Sequence, residues 1–148
     1  MIKSSLKKIY LLIICMSLVC CKKNDEIKED FFKNLFTDLV QNGEYQKVGN
    51  YFSSDAKINL DGKLLNYEEF VKRVQWMQKR DMKVDFKQAI ISGNKAASFH
   101  YSTIKDGDAS STFKVFAWME LKNGKVINFE HIALKIEGNA PQSVVNDF

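Results

Sequence analysis

The two histidines of the chain are the residues best suited to acid–base or ligand chemistry. His131 lies in the largely apolar stretch INFEHIAL, and His100 lies in the alternating stretch ASFHYS. An imidazole titrates near neutral pH, so either side chain could bind a ligand or act as a general acid or base. The same residues are also consistent with neutral imidazoles satisfied by neighbours in a partly polar core. A metal site would need at least one further inward ligand, which the sequence does not indicate.

The elements that must position these histidines are three helices followed by a run of strands. Apolar residues at helical spacing, a capping-box pattern at Asn66 and Glu69, and turn dipeptides such as Asn123-Gly124 mark the elements. The predicted helices are Asn24–Gln41, Glu44–Phe52 and Asn66–Arg80, and the predicted strands are Lys57–Leu60, Met82–Ile91, Lys95–Lys105, Ser111–Leu121 and Lys125–Lys135. This order predicts an α+β fold with three N-terminal helices packed on a curved antiparallel β-sheet.

The order of elements resembles the nuclear transport factor 2-like superfamily, which includes polyketide cyclase-like and ketosteroid isomerase-like proteins. One carrier of the resemblance is NGEYQKVGNYFSSDAKI, which is similar to the family's second helix and first strand. The other is WMELKNGKVINFEHI, which is similar to its last hairpin. The resemblance covers Ile27–Leu134, so we expect one domain at residues 27–135 and a C-terminal tail at residues 136–148.

The resemblance implies a cone in which the concave sheet face and the helices enclose a pocket. Successive strand residues point to opposite faces, so Phe129 and His131 would face the pocket while Glu130 and Val126 would face out. The same alternation across the sheet turns His100 into that pocket. The predicted pocket residues are Ser98, His100, Ser102, Phe113, Met119, Phe129 and His131, and no cofactor or metal is expected.

The catalytic residues of the ketosteroid isomerases do not carry over to this sequence. The family's tyrosine, aspartate base and second acid match positions near Phe36, Leu60 and Ala117. Asp61 is one residue beyond Leu60 and is expected to point the other way. The resemblance therefore favours ligand binding without catalysis.

Two surface features suggest contacts outside the pocket. The opposite sheet face would carry Phe99, Tyr101, Phe116 and Trp118, with Val126 and Ile132 beside them. An apolar patch of this kind usually marks an interface, and many relatives dimerise here, so a homodimer is expected. Coverage by the tail residues Val144, Val145 and Phe148 is the alternative. On the third helix, Lys72, Arg73, Lys79 and Arg80 predict a solvated face or a contact with anionic lipid.

The first 20 residues are predicted to be a targeting segment. A basic start with Lys3, Lys7 and Lys8 precedes the apolar run Ile9–Val19, which is too short to cross a bilayer. The following LVCCKK resembles a bacterial lipoprotein signal, with Leu18 at −3 and Cys21 as the lipidated residue. Ordinary secretion and an uncleaved segment are the alternatives.

Processing at Cys21 would change both the thiol content and the charge of the protein. Cys15 and Cys20 would leave with the signal, and Cys21 would carry lipid, so the mature domain would have no free thiol. Removing three lysines from the chain's 22 basic residues leaves 19 against 18 acidic residues. A charge near +1 gives no electrostatic footprint for nucleic acid.

These observations predict a membrane-anchored lipoprotein of the bacterial cell envelope that faces the periplasm, with residues 21–26 as a short tether. Lys22 is not the aspartate associated with inner-membrane retention in some bacteria, which favours the outer membrane. The first functional hypothesis is non-catalytic binding of a small apolar ligand or a protein partner. The second is an isomerase, dehydratase or cyclase that uses His100 and His131 as acid and base. The third is a purely structural dimeric module.

Overall fold

The computed structural model describes residues 27–139. The predicted signal peptide, the lipidation site Cys21, the tether at 21–26 and residues 140–148 of the tail lie outside the described residues. The helical elements are α1 (Glu29–Leu35), a π-helical turn (Phe36–Gln41), a 3₁₀ turn (Tyr45–Lys47), α2 (Val48–Tyr51) and α3 (Tyr67–Met77). The strands are β1 (Phe52–Leu60), β2 (Lys63–Leu65), β3 (Asp81–Ser92), β4 (Lys95–Asp106), β5 (Ala109–Lys122) and β6 (Lys125–Gly138).

The helices bury one apolar face each against the sheet. In the first helical segment Phe32, Leu35 and Phe36 are almost fully buried, as the i, i+4 pattern predicts. Asn66 caps α3: its side chain accepts the Glu69 N–H at 2.9 Å, and the Glu69 carboxylate accepts the Asn66 N–H at 2.8 Å. The predicted capping box is therefore confirmed. Within the part of the chain that the structure describes, no helix is both long and apolar enough to cross a membrane.

The six strands form one curved sheet in the order β2-β1-β6-β5-β4-β3. Strands β3 to β6 make the expected antiparallel run, and β1 pairs with β2 antiparallel. The sheet is mixed, however, because β1 runs parallel to β6, with Leu60 opposite His131. No hairpin joins β1 to β6, so no tight turn forces that pair to be antiparallel. The α+β fold class is confirmed, with this one parallel pair as the difference.

The predicted alternation holds on β4 and β5 and fails at the start of β6. The inward-facing side chains of β4 are buried at Ser98, His100 and Ser102. Those of Phe113 and Met119 on β5 are buried in the same way. Val126 was expected on the outer face but is fully buried in the core. The register shifts between Glu120 and Leu121, which leaves Ile127 without a partner on β5 and reverses the alternation before it. Such a β-bulge moves a side chain to the other face.

The outer sheet face keeps several large apolar side chains in contact with solvent. Phe116 is 44% exposed, Ile132 52% and Leu134 53%. Phe99 stacks on Phe116 with ring centroids 5.3 Å apart and meets Tyr101 edge-on at 5.2 Å. The face has the composition of an interface, and its use for homodimerisation stays a prediction.

Candidate functional site

A cavity of about 60 Å³ lies between the helices and the concave sheet face. Its wall is mostly apolar and includes Phe36, Leu39, Val74, Met77, Met82, Phe113 and Phe129. Four polar residues, Asp61, Arg73, Ser102 and His131, complete it. The volume is well below the roughly 150 Å³ of an engineered cavity that binds benzene. The cavity therefore suits a very small molecule, or the leading end of a longer one.

The sequence-predicted pocket residues divide into two groups. Ser102, Phe113, Phe129 and His131 line the cavity. Ser98, His100 and Met119 share the inner face but lie deeper in the core, outside the cavity wall. The two histidines are therefore not equivalent, since His131 faces the cavity and His100 lies behind its wall.

Asp61 belongs to this site, contrary to the expectation that it points away. Its side chain is 21% exposed, and Oδ2 lies 3.9 Å from His131 Nδ1. Its N–H donates to the His131 carbonyl at 2.8 Å, and its Oδ1 accepts the Ala133 N–H at 2.6 Å.

The turn after β1 explains the orientation of Asp61. Strand alternation applies only while the backbone stays extended, and Asp61 has left the strand with a φ of +53°. Gly62 continues the turn with a φ of +86°. An aspartate tolerates this left-handed conformation better than most residues do, because its short polar side chain bonds to nearby backbone. The turn thus brings the carboxylate back over β6.

Arg73 is the second residue of the site that sequence reasoning missed. The sequence pattern predicts a solvated or lipid-contacting face for Arg73, yet this residue is only 6% exposed and lines the cavity. Its guanidinium lies over the Trp76 ring at 4.3 Å. Burial lowers the pKa of Arg73 to about 10, and the nearby Asp61 carboxylate opposes that shift. At neutral pH the site therefore holds a positive guanidinium and a carboxylate of opposite charge.

His131 is held neutral between these two groups. Burial is the main cause that lowers its pKa, Asp61 works in the opposite direction, and Arg73 adds to the lowering. The 3.9 Å separation from Asp61 is longer than a hydrogen bond. Among the described residues, Nδ1 of His131 has no hydrogen-bond partner. Nδ1 can therefore form a hydrogen bond with a small molecule in the cavity, or transfer a proton to or from it.

His100 is fully buried, with its ring 4.3 Å from the Phe36 ring. Burial lowers its pKa to about 3, and His131 contributes in the same direction. A neutral core imidazole was one expectation, and the burial agrees with it. The expected hydrogen-bonding neighbour is missing, however: within residues 27–139 neither ring nitrogen has a partner.

No metal centre accompanies these groups in the part of the chain that is described. There, no cluster of three or more histidine, cysteine, aspartate or glutamate side chains could hold an ion. Asp55, another carboxylate on β1, accepts a hydrogen bond from Ser53 and faces solvent. The titratable side chains that line the cavity are Asp61, Arg73 and His131.

Comparison with known proteins identifies the fold. No protein-family profile matches the chain. The uncharacterised protein C11D3.04c of Schizosaccharomyces pombe is 24% identical over 114 residues, covering 74% of this chain and 88% of that protein.

Many solved structures have similar backbones, and three of them illustrate the range. IdmH of Streptomyces antibioticus, described as a candidate polyketide cyclase, has a TM-score of 0.62 at 14% identity, covering 70% of this chain and 89% of its own. An LEH-like epoxide hydrolase of M. tuberculosis has a TM-score of 0.63 at 15% identity, covering 71% and 80%. A protein of Catenulispora acidiphila with a ketosteroid isomerase-like fold, in complex with trimethylamine, has a TM-score of 0.61 at 9% identity, covering 80% and 91%.

The chain therefore has the nuclear transport factor 2-like cone fold, as the sequence resemblance implied. At these identities the likeness defines the fold alone. The neighbours include proteins described as a cyclase, a hydrolase and an isomerase-like protein, so the chemistry of this chain must be argued from its own cavity.

The buried histidine makes stability depend on pH in a defined direction. Unfolded chain takes up a proton at His100 near pH 6.5, whereas the folded protein resists protonation until about pH 3. Stability is therefore lost as the pH falls from 6.5 towards 3. Between pH 6.5 and about pH 5, one such histidine removes roughly 1.6 kcal/mol from the free energy of unfolding.

We expect His100→Leu to reduce the pH dependence of urea unfolding by about this amount. An unchanged pH dependence would contradict the assignment.

Proposed function

We propose that the domain binds a small, mostly apolar molecule with an uncharged polar group at the end that lies beside Asp61, Arg73 and His131. The observation that supports this most directly is the apolar cavity with Asp61, Arg73 and His131 at one end. Cavities of this composition are typical of ligand sites, in which a few polar groups orient an apolar body.

The charges at the polar end favour an uncharged ligand group. Asp61 and Arg73 carry opposite charges, and His131 is neutral, so the three side chains bring no net charge. Together they offer an acceptor from the carboxylate and donors from the guanidinium. A hydroxyl, ether or carbonyl group can use these partners. A charged group would lose its hydration and find no net opposite charge in the site to compensate for it.

A protein of the same fold provides an example of a small ligand. The structure of the Catenulispora acidiphila protein is a complex with trimethylamine, a molecule of four non-hydrogen atoms. Trimethylamine is cationic in water, so the example supports a small ligand here and not its charge.

A small ketone tests the binding proposal. In a ¹⁵N–¹H NMR titration with 2-butanone, we expect saturable shifts at the amides of Ser102 and Ala133, which line the cavity. Ala133→Leu fills the space and should weaken binding at least tenfold. Ala97→Leu is the matched control, because Ala97 lies on the exposed face of β4. Equal affinity in the two variants would overturn the proposal.

Acid–base catalysis is the second candidate, and the position of Asp61 favours it. The ketosteroid isomerase positions Phe36 and Ala117 remain unmatched, but Asp61, which was expected to point outward, lines the cavity. A carboxylate with one oxygen bonded to Ala133 N–H and the other facing His131 is oriented in the way a general base requires. The arrangement could remove a proton from water or from a substrate carbon.

Epoxide hydrolysis provides a test of that candidate, because one neighbour of the fold is an epoxide hydrolase. In the reaction Asp61 would take a proton from water while the water oxygen bonds to a ring carbon. The C–O bond breaks, and the ring oxygen takes a proton from solvent to give a diol. With propylene oxide, we expect Asp61→Asn to lower the rate at least 100-fold and the exposed-site control Asp55→Asn to leave it unchanged. No acceleration above buffer in the parent protein would count against catalysis of this reaction.

We further infer that Cys21 anchors the domain to the bacterial envelope, facing the periplasm. The support is the sequence order of basic start, apolar run and paired cysteines. Ile27, six residues beyond Cys21 in the sequence, is buried, and its N–H donates to Gly93 O at 3.2 Å. A six-residue tether reaches at most about 20 Å, which would hold the cavity close to the membrane surface.

Paired cysteine variants test the anchor. Cys21→Ala should abolish the added acyl mass in intact-mass spectra of membrane-extracted protein, because the modified thiol is gone. Cys20→Ala is the matched control and should remain lipidated, since it places a small alanine at −1. Lipid on the Cys21→Ala protein, or its absence from the parent, would rule out Cys21 as the anchor.

A further inference from the structure

Two buried polar side chains behind the cavity have no hydrogen-bond partners among the described residues. His100 lacks a partner at both ring nitrogens, and Ser98 lacks one at Oγ. The two residues are two positions apart on β4 and point to the same inner face. Burying a polar group without a hydrogen-bond partner costs the full free energy of its desolvation. A leucine or alanine at these positions would have no polar side-chain group and no such penalty. This pattern is expected where a polar group of a ligand is to be bound.

One aromatic ring belongs both to the cavity wall and to the surroundings of His100. Phe36 lines the cavity, and its ring centroid lies 4.3 Å from that of His100. Ser102, two residues after His100 on the same face, also lines the cavity. The inner face of β4 thus carries a polar row that runs from Ser102 at the cavity through His100 to Ser98.

The backbone around Phe36 is also unusual. Phe36 begins the π-helical turn Phe36–Gln41, which α1 precedes directly. π-helical turns are rare and often occur at functional sites. Phe36 therefore lies where the backbone departs from regular α-helical geometry, next to the cavity.

Resting on the proposed function, we propose that movement of the Phe36 ring extends the cavity to a second polar subsite at His100 and Ser98. This subsite takes an uncharged hydroxyl or carbonyl group at the leading end of an elongated apolar ligand. The other end of that ligand lies beside Asp61, Arg73 and His131.

The chemistry of the subsite selects the ligand group. His100 is neutral at physiological pH, because burial lowers its pKa to about 3. A neutral imidazole offers one donor and one acceptor, which matches a hydroxyl, and its donor alone matches a carbonyl. The walls beside it are Phe36 and the buried strand residues Val115 and Ala117. A carboxylate or ammonium group would enter these apolar surroundings without a counter-charge.

Phenol and toluene are suitable probes, because they share a ring and differ in the polar group. Phe36→Ala mimics the displaced ring and should bind phenol at least tenfold more tightly than the parent does in an NMR titration. The double variant Phe36→Ala/His100→Leu should lose this gain for phenol and keep its affinity for toluene. Phe113→Ala is the matched control: it enlarges the same cavity from β5 and should show no His100-dependent preference for phenol.

A measurement on the parent protein avoids dependence on the folding of the variants. Saturation with phenol should shift the imidazole ¹⁵N resonances of His100. Equal phenol affinity in Phe36→Ala and the double variant, or unshifted His100 nitrogens, would overturn the subsite. The 2-butanone titration needs only the existing cavity, so its failure would instead remove the proposed function itself.

Discussion

The parallel pairing of β1 with β6 is the constraint on which the site depends. It places Leu60 opposite His131 and Ile58 opposite Phe129, so the end of the first strand reaches the middle of the last one. The Asp61 side chain then accepts the Ala133 N–H, and its own N–H donates to the His131 carbonyl. These bonds join residues far apart in the chain and turn the carboxylate towards the imidazole. Without this register Asp61 would be an ordinary turn residue.

The helical layer completes the site by burying a charge next to that carboxylate. The capping box at Asn66 starts α3 directly after β2, and the helix then carries Arg73 over the cavity. A buried guanidinium is costly unless an opposite charge lies close by, and Asp61 supplies that charge. The opposite charges of Asp61 and Arg73 and the neutral His131 form a polar end to an otherwise apolar cavity. The concave sheet face therefore supplies the shape, and the turn and α3 supply the charges.

Much of the fold could be predicted because the relevant signals are local. Side chains on β4 and β5 alternate strictly, so the inward direction of Ser102 and Phe113 follows from spacing alone. The prediction failed for Val126, because a β-bulge at Ile127 is a property of how β6 pairs with β5. It failed for Asp61, because a left-handed turn residue no longer follows strand alternation. Both failures occur where the backbone departs from regular geometry.

The sequence by itself determined the α+β class, the capped third helix, the inner face of the sheet and the presence of His131 on that face. Each of these depends on periodicity or turn chemistry within a few residues. Only the tertiary structure decided that Asp61 and Arg73 join His131 and that His100 lies behind the cavity wall. The physical reason is that these relations depend on the register between distant strands and on the docking of α3. Free energy at those contacts comes from burial and charge pairing, which no local pattern of residues encodes.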